Sequence, residues 1–522
     1  MRTTSNKTNR SVGVVISWAT IIVQVLISLV FTPFLIKMVG DRQYGLYSFS
    51  SSLISWLSML LVAFTAGYHK FVLREQKEKG DRGEAITIGV FCKIYFALGI
   101  GTLVLGLAFD LLFFYEIIPL NEYSLEEKNQ ICILLLMSIF STFFSTVLTA
   151  TKSYPYYKQR FIFAYSISLI EIIARTIISF IALKIGLGIL YVALIHYGCA
   201  FLNSLITTFV SMFVLKEKII LFSHDSEEKK RQIVLFKEIF FFSSFLIINV
   251  IADILNKNMD INILGFVNSD SVSTYRLALI FSTYLISFTS IVATVFAKEV
   301  AEAYYKKGTE GANELFLKVS KIQSIVALLL TGGFVCCGKE FVELWLGAGR
   351  ENVYYIGAAL MVVFSFNCST TIAFSIRQLL DLHKQSAFIT LGIVISNIVL
   401  SVLFVSILPR ELAVFGCLGG TVISEIIGNW IIIPLFDYKK TGLATNVFVK
   451  KYFLSFTLTI VFALGVGFLL DLLFKSTITN LVLFFIKMFI FAVGYICFFF
   501  LTNKKLIISI LRKRKTNFEK ID

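Results

Sequence analysis

Apolar residues run along this chain in long unbroken blocks, set apart by short gaps where the charged residues gather. Fourteen blocks stand out, over 11–36, 45–66, 85–114, 130–150, 161–184, 187–214, 239–266, 271–296, 322–345, 352–376, 386–408, 412–436, 452–474 and 479–502. Each is long enough to cross ~30 Å of bilayer hydrocarbon as a helix that rises ~1.5 Å per residue. Strands of a membrane barrel would instead alternate apolar and polar positions over about ten residues. These blocks do not alternate: Phe240, Phe241, Phe242, Leu246, Ile247 and Ile248 fall in one run. The pattern predicts an all-α polytopic membrane protein with 14 transmembrane helices.

Composition agrees. Of 522 residues, 57% are apolar and only 16% charged, with mean hydropathy +0.82; soluble chains carry about 25% charge. The first block follows Arg2, Lys7 and Arg10, as a signal peptide would, yet stays apolar to Leu35 with no small-residue cleavage site after it. It reads as an uncleaved first helix, bent or broken at Pro33. The net charge of +15 has a topological reading. The N-terminus and every second connection hold 35 Lys and Arg, whereas the seven opposite connections hold 8 when Lys184 and Lys339, near the ends of their blocks, are counted with them. By the positive-inside rule the basic segments, and with them both termini, are cytoplasmic. Eight cysteines fall almost entirely within the blocks with no C-x-x-C pair, and read as small buried apolar residues.

The chain also repeats itself. Val39 and Tyr47 recur 228 residues later as Val267 and Tyr275, at the same first-to-second helix turn. Lys158-Gln159 recurs as Lys384-Gln385, before the fifth helix of each half. The reading is two six-helix lobes of like orientation, 1–215 and 239–436, joined by a charged cytoplasmic linker, 216–238. An extra helix pair, 437–502, and a basic cytoplasmic tail, 503–522, complete the chain. Parallel repeats of this kind rock about a central cavity in transporters.

Ionisable residues inside the membrane are costly and mark function by default. In the seventh block Asn249, Asp253, Asn256, Lys257 and Asp260 fall on one narrow helical face. The eighth carries Arg276, Thr283, Ser287, Ser290 and Thr294 along one stripe. Glu171 and Arg175 lie one turn apart in the fifth block, as a cavity pair or as a pair that simply neutralises itself. Gln24 with Ser17 and Ser28, and the run Ser48, Ser51, Ser52, Ser55 and Ser58, add polarity to the first two blocks; for the serines, helix packing in lipid is the plainer reading. His196 and Glu425 sit at nearly equal depth in the sixth and twelfth blocks, as candidates for a coupling proton or as hydrogen-bonded structural residues. Lys93 is placed to snorkel, and Lys487 is ambiguous. The run Asp225, Glu227, Glu228, Lys229, Lys230, Arg231 reads as a solvated linker. No phosphate-binding loop occurs and the outer connections are short, which argues against an enzyme; no metal ligand set, cofactor motif or nucleic-acid site is read.

The stretch Pro33-Phe34-Leu35-Ile36-Lys37-Met38-Val39-Gly40, followed by Tyr44-Gly45-Leu46-Tyr47, resembles the start of bacterial polysaccharide flippases. These belong to the multidrug/oligosaccharidyl-lipid/polysaccharide exporter superfamily. Asp260-Ile261-Asn262-Ile263-Leu264-Gly265, leading to Tyr275, resembles their seventh-to-eighth helix turn. Val39-Gly40 replaces the usual Leu-Gly, and Thr274 stands where a Gly would precede Tyr275. The resemblance implies a MATE-like architecture in the bacterial plasma membrane, and a flippase for polyprenyl-(pyro)phosphate-linked glycan units in O-antigen, capsule, exopolysaccharide or teichoic-acid assembly. It implies a polysaccharide polymerase or glycosyltransferases as partners, and a lipid-tail groove beside 452–502. On that expectation Arg175, Lys257 and Arg276 receive the phosphates, hydroxyl and amide groups meet sugar, and Asp253 and Asp260 temper the cations or carry a coupling ion. A cation-coupled multidrug exporter is the alternative, and a membrane glycosyltransferase or polymerase a more distant one.

Overall fold

The computed structural model describes residues 2–56, 59–158, 160–380, 382–474 and 478–502. The side chains of Ser17, Asn249 and Thr294, the residue Ser58, and the tail 503–522 lie outside what is described. The described residues contain helices and no strand: α1 (Arg2–Ser55), α2 (Met59–Phe114), α3 (Leu125–Val147), α4 (Thr149–Tyr157), α5 (Phe161–Lys184), α6 (Ile189–Phe209), α7 (Ser226–Val267), α8 (Ser271–Leu346), α9 (Glu351–Thr370), α10 (Ile372–Leu379), α11 (His383–Ile407), α12 (Ala413–Glu425), α13 (Ile433–Phe436), α14 (Thr445–Phe474) and α15 (Asn480–Thr502). Twelve helical stretches among them are long and apolar enough to cross a membrane. That is two fewer than the fourteen expected. The first two blocks share one such stretch, Ala19–Ser55, and the seventh block, within α7, is not among the twelve.

The helices change direction at glycines. In α1 the chain leaves helical angles at Gly40 (φ 84°, ψ 161°), whereas Pro33 lies within the helix. In α2 the break is at Gly80 (φ 64°, ψ −154°), and in α8 at Gly308 (φ 62°, ψ −146°), 228 residues later. Positive φ is cheap only for glycine, so both long elements fold back where a side chain would be strained. Around each break the neighbourhood is the same. A Cβ on Gly83 would come within 2.5 Å of the Glu75 carbonyl, and one on Gly311 within 2.5 Å of the Ala303 carbonyl. One turn has thus been built twice.

Packing divides the chain into two compact units, residues 1–276 with 390–420 and residues 277–389 with 421–522. In the first, Phe64, Tyr68, Phe71, Phe91 and Tyr95 of α2 pack with Leu235 and Ile239 of α7. Gly265 of α7 faces Phe49 of α1 so closely that a Cβ would lie 2.1 Å from the ring. In the second, Phe316, Phe366, Phe448, Tyr452, Phe491 and Tyr495 form the core. Lys487, 1% exposed, joins three helices there: its ammonium donates to Glu340 (2.7 Å, α8) and to Asp471 (2.8 Å, α14).

The charged run at the start of α7 is exposed at Asp225, Glu227, Lys229 and Lys230 and tied down at Glu228 and Arg231, the latter donating to Glu75. Asp225 caps α7 by accepting from the Glu227 N–H, and Glu228 takes hydrogen bonds from Arg82 and Ser223. The backbone N–H of Ile220 donates to the Ala85 carbonyl (3.1 Å), and a Cβ on Gly89 would strike the Ile220 carbonyl at 2.0 Å. Lys93 reaches this strap rather than water, through Gln232 (3.1 Å) and the Phe222 ring (4.4 Å). Most of the eight cysteines are buried as expected, with Cys497 exposed.

Candidate functional site

In the first unit, the α1 turn after Gly40 meets the α7–α8 turn. Arg42 sits between them. Its guanidinium donates bidentately to Glu127 (2.6 and 3.0 Å), to Asp270 (2.9 Å), to Ser269 and to the Glu122 carbonyl (2.7 Å). It also lies 5.1 Å from the centre of the Tyr123 ring. Such a planar fork matches carboxylate geometry in a way an ammonium does not. Glu127 serves twice, because it also closes the capping box of α3 with Ser124. Ser273 donates to Asp41 (3.1 Å), and Arg410 pairs with Glu122. Sequence reasoning counted Arg42 only as one of the few basic residues on its side; its acidic partners lie 85 and 228 residues away.

Tyr47 of α1 and His196 of α6 share a hydrogen bond (3.1 Å). Arg175 is 3.5 Å from Glu171, so the intra-helix pair exists but is loose. The result is a tyrosine–histidine hydrogen bond joining α1 to α6 in the unit that also holds Arg175 and Arg276. Tyr47 was visible in the sequence as a repeat marker and Tyr44 as part of the family stretch, neither as a site residue.

Asp260 is buried (5% exposed) and has an oxygen-rich surrounding. Tyr275 donates to its carboxylate, Ser401 of α11 lies 3.3 Å from its Oδ1, and Ser401 in turn is 3.1 Å from Asn397 Oδ1 and 3.3 Å from the Cys417 carbonyl. Carboxylate, hydroxyl, amide and backbone oxygens are the ligands hard cations take. No group of three or more His, Cys, Asp or Glu suited to a metal occurs among the described residues. Asn397 and Ser401 are one turn apart in an apolar run, which is the sequence signal that was available.

The remaining candidates are less convergent. Lys257 pairs with Asp253 on its own helix (2.7 Å), and both side chains are more than half exposed. Asn256 is half-buried and Gln24 exposed. Glu425 is fully buried in the second unit, where Asn429 donates to it (2.6 Å); His196 belongs to the first.

Comparison with known proteins fits this architecture. A protein of Bacillus subtilis (strain 168), named uncharacterized membrane protein EpsK, is 24% identical over 443 residues, 82% of this chain and 83% of that protein. The lipid II flippase MurJ, in an inward closed conformation, shares the fold with a TM-score of 0.70 at 17% identity, over 94% of this chain and 99% of that one. The eukaryotic MATE transporter AtDTX14 does so with a TM-score of 0.56 at 14% identity, over 86% and 99%. Residues 12–297, more than half of the chain, match the family described as polysaccharide biosynthesis protein. A multi-pass helical membrane protein with this match is a member of that family, and it shares its fold with the lipid II flippase and the MATE transporter.

Proposed function

We propose that the protein moves a polyprenyl-(pyro)phosphate-linked glycan repeat unit from the inner to the outer leaflet of a bacterial plasma membrane, by alternating access, for cell-surface polysaccharide assembly. The observation that supports the reading is the match of residues 12–297 to the polysaccharide biosynthesis family, with Arg175 and Arg276 as cations inside apolar helices of that matched region. A phosphorylated glycan cannot cross hydrocarbon unaided, and paired guanidiniums offer charge-assisted hydrogen bonds to its phosphate oxygens. Tyr44, Tyr47 and the nearby serines supply hydroxyls for sugar. Lys257, held by Asp253 on an open helical face, makes first contact with the anionic head. Asp260 with Ser401, Asn397 and the Cys417 carbonyl takes the coupling cation, and His196 and Glu425 are the further titratable groups to test. The basic segments face the cytoplasm, where polymerase or glycosyltransferase partners would hand over substrate.

A cation-coupled multidrug exporter is the second reading, favoured by one observation: Glu171, Asp253 and Asp260 match the three cations in number. A reconstituted flipping assay separates the two. Arg175→Ala/Arg276→Ala is expected to slow transport of a polyprenyl-pyrophosphate glycan at least about tenfold, as befits two lost charge-assisted hydrogen bonds, with Lys257→Ala weaker. Wild-type flipping rate in a folded, surface-expressed double variant overturns the assignment; drug efflux with no lipid flipping supports the exporter.

A further inference from the structure

The two turns that meet at Arg42 pair in a regular way. Adding 228 to a position in the α1 turn gives its counterpart in the α7–α8 turn, so Asp41, Arg42 and Gly45 answer to Ser269, Asp270 and Ser273. Ser273 donates to Asp41 (3.1 Å). The reciprocal contact sets Gly45 against Ser269, whose carbonyl oxygen would lie 3.6 Å from a Cβ placed there. Between these two mates Arg42 donates to Asp270, its own counterpart (2.9 Å). Contacts that exchange i with j in this way are the mark of a two-fold axis, and a residue that touches its own counterpart lies beside that axis. Parallel repeats rock about an axis along the membrane normal, with the substrate path between them. The paired turns therefore close one end of that path on its axis.

The closure has depth. Below the turns Phe49 of α1 packs on Phe266 of α7 (5.4 Å between ring centres) and against Gly265, and Ser52 donates to Asn262. From residue 42 to residue 52 a helix rises about 15 Å at ~1.5 Å per residue. Deeper along α7 the side chains of Lys257 and Asp253 are more than half exposed, so the seal does not extend over them. Arg42 ties the top of this seal. Its guanidinium holds Glu127 and the Glu122 carbonyl on one side and Ser269 and Asp270 on the other. A seal that opens once per transport cycle has to break cheaply. Arg42 is about a third exposed and Asp270 mostly so, and ion pairs this open to water contribute little. With both termini cytoplasmic, these turns face outward. We propose that Arg42 is the latch of an outer gate: it joins the two turns across the axis, and outward opening parts it from Ser269 and Asp270 while its bidentate grip on Glu127 keeps it on the first half of the chain. This rests on the alternating access put forward above and on that orientation, and not on the cargo.

The test measures access from outside. The full chain, freed of its eight native cysteines and carrying Asp253→Cys, is treated in intact cells with a membrane-impermeant maleimide, and labelling at residue 253 is read by peptide mass spectrometry. Arg42→Gln is expected to raise the labelling rate roughly tenfold, as befits the loss of charge-assisted hydrogen bonds. Arg42→Lys gives a smaller rise, because an ammonium keeps the charge without the fork. Added to the same chain, Asp41→Cys/Ser273→Cys should form a disulfide under mild oxidant and suppress labelling at 253, and dithiothreitol should restore it. Melting temperature and surface expression show whether Arg42→Gln is folded; if it is not, the disulfide arm decides. A folded Arg42→Gln chain that labels at the parent rate, or labelling that persists through the disulfide, overturns the latch. None of these readouts uses a lipid substrate. A chain that labels as expected but flips no polyprenyl-pyrophosphate glycan keeps the latch and loses the cargo.

Discussion

Glu217 shows what a single buried carboxyl does to this protein. It lies just past α6, outside the membrane-spanning helices, directly after Lys216, whose φ of 53° is unusual for a non-glycine residue. Only 7% of it is exposed, and neither carboxylate oxygen has a hydrogen-bond partner among the described residues. Burial pushes its pKa up to about 8; the neighbouring Glu84 adds to the rise and Lys158 opposes it. The folded protein therefore holds a proton that the unfolded chain releases near 4.5. Stability falls as pH climbs from about 5 to 8, because the native state binds more protons than the unfolded one in that window. Thermal melts of the detergent-solubilised protein at pH 5 and pH 8 should show this slope, and Glu217→Gln should flatten it and melt higher at pH 8. A slope that survives the substitution refutes the assignment to this residue. Nothing in the sequence flagged Glu217: it sits between Lys216 and Lys218 just past an apolar block, where a charged residue reads as a solvated connection, and its burial is a tertiary event. Asp260 was legible for the opposite reason, since a carboxylate inside an apolar run is conspicuous whatever surrounds it. Its partners Asn397 and Ser401 were not, because two small polar residues in a helix read as packing.

At the level of elements, Lys487 ties α15 to α8 and α14. The sequence left it ambiguous, for its partners are 147 and 16 residues distant and only the fold brings them close. Glu340 is buried, whereas Asp471 is about a third exposed. Removing the lysine alone leaves Glu340 charged in an apolar place, which costs about 3–5 kcal/mol. Lys487→Met is thus expected to lower the melting temperature sharply, and Lys487→Met/Glu340→Gln to recover most of the loss. If the double variant melts no higher than the single, the ion pair is not what holds these helices. The single stretch Ala19–Ser55 holds the first two blocks, and the backbone leaves helical angles between them at Gly40. Hydropathy marks where apolar residues lie, but that break is a backbone event set by one residue's left-handed conformation. The breaks at Gly80 and Gly308 likewise fall in charged segments, where periodicity carries no signal.

For the molecule as a whole, the bilayer made most of the fold legible. An apolar run of ~20 residues has few options in lipid, since its backbone must satisfy itself as a helix. The +15 charge carries an expected orientation, with the basic connections inside. That orientation is open to direct measurement. In a variant lacking Cys497, Tyr115→Cys should react with a membrane-impermeant maleimide in intact cells, and His224→Cys only after permeabilisation; both positions are exposed. The reverse pattern would invert the topology. The proposed site was less legible, because Tyr47 meets His196 only when a helix 149 residues away packs beside it. The meeting of the two turns at Arg42 has a last consequence. Arg42 and Asp270 occupy the same place in successive repeats, 228 residues apart, and carry opposite charge where they touch. A chain made of two copies of the first half would set arginine against arginine there, and two copies of the second would set aspartate against aspartate. The halves are alike in plan but no longer interchangeable, so any ancestor assembled from two identical halves must have closed this contact with something other than the present pair.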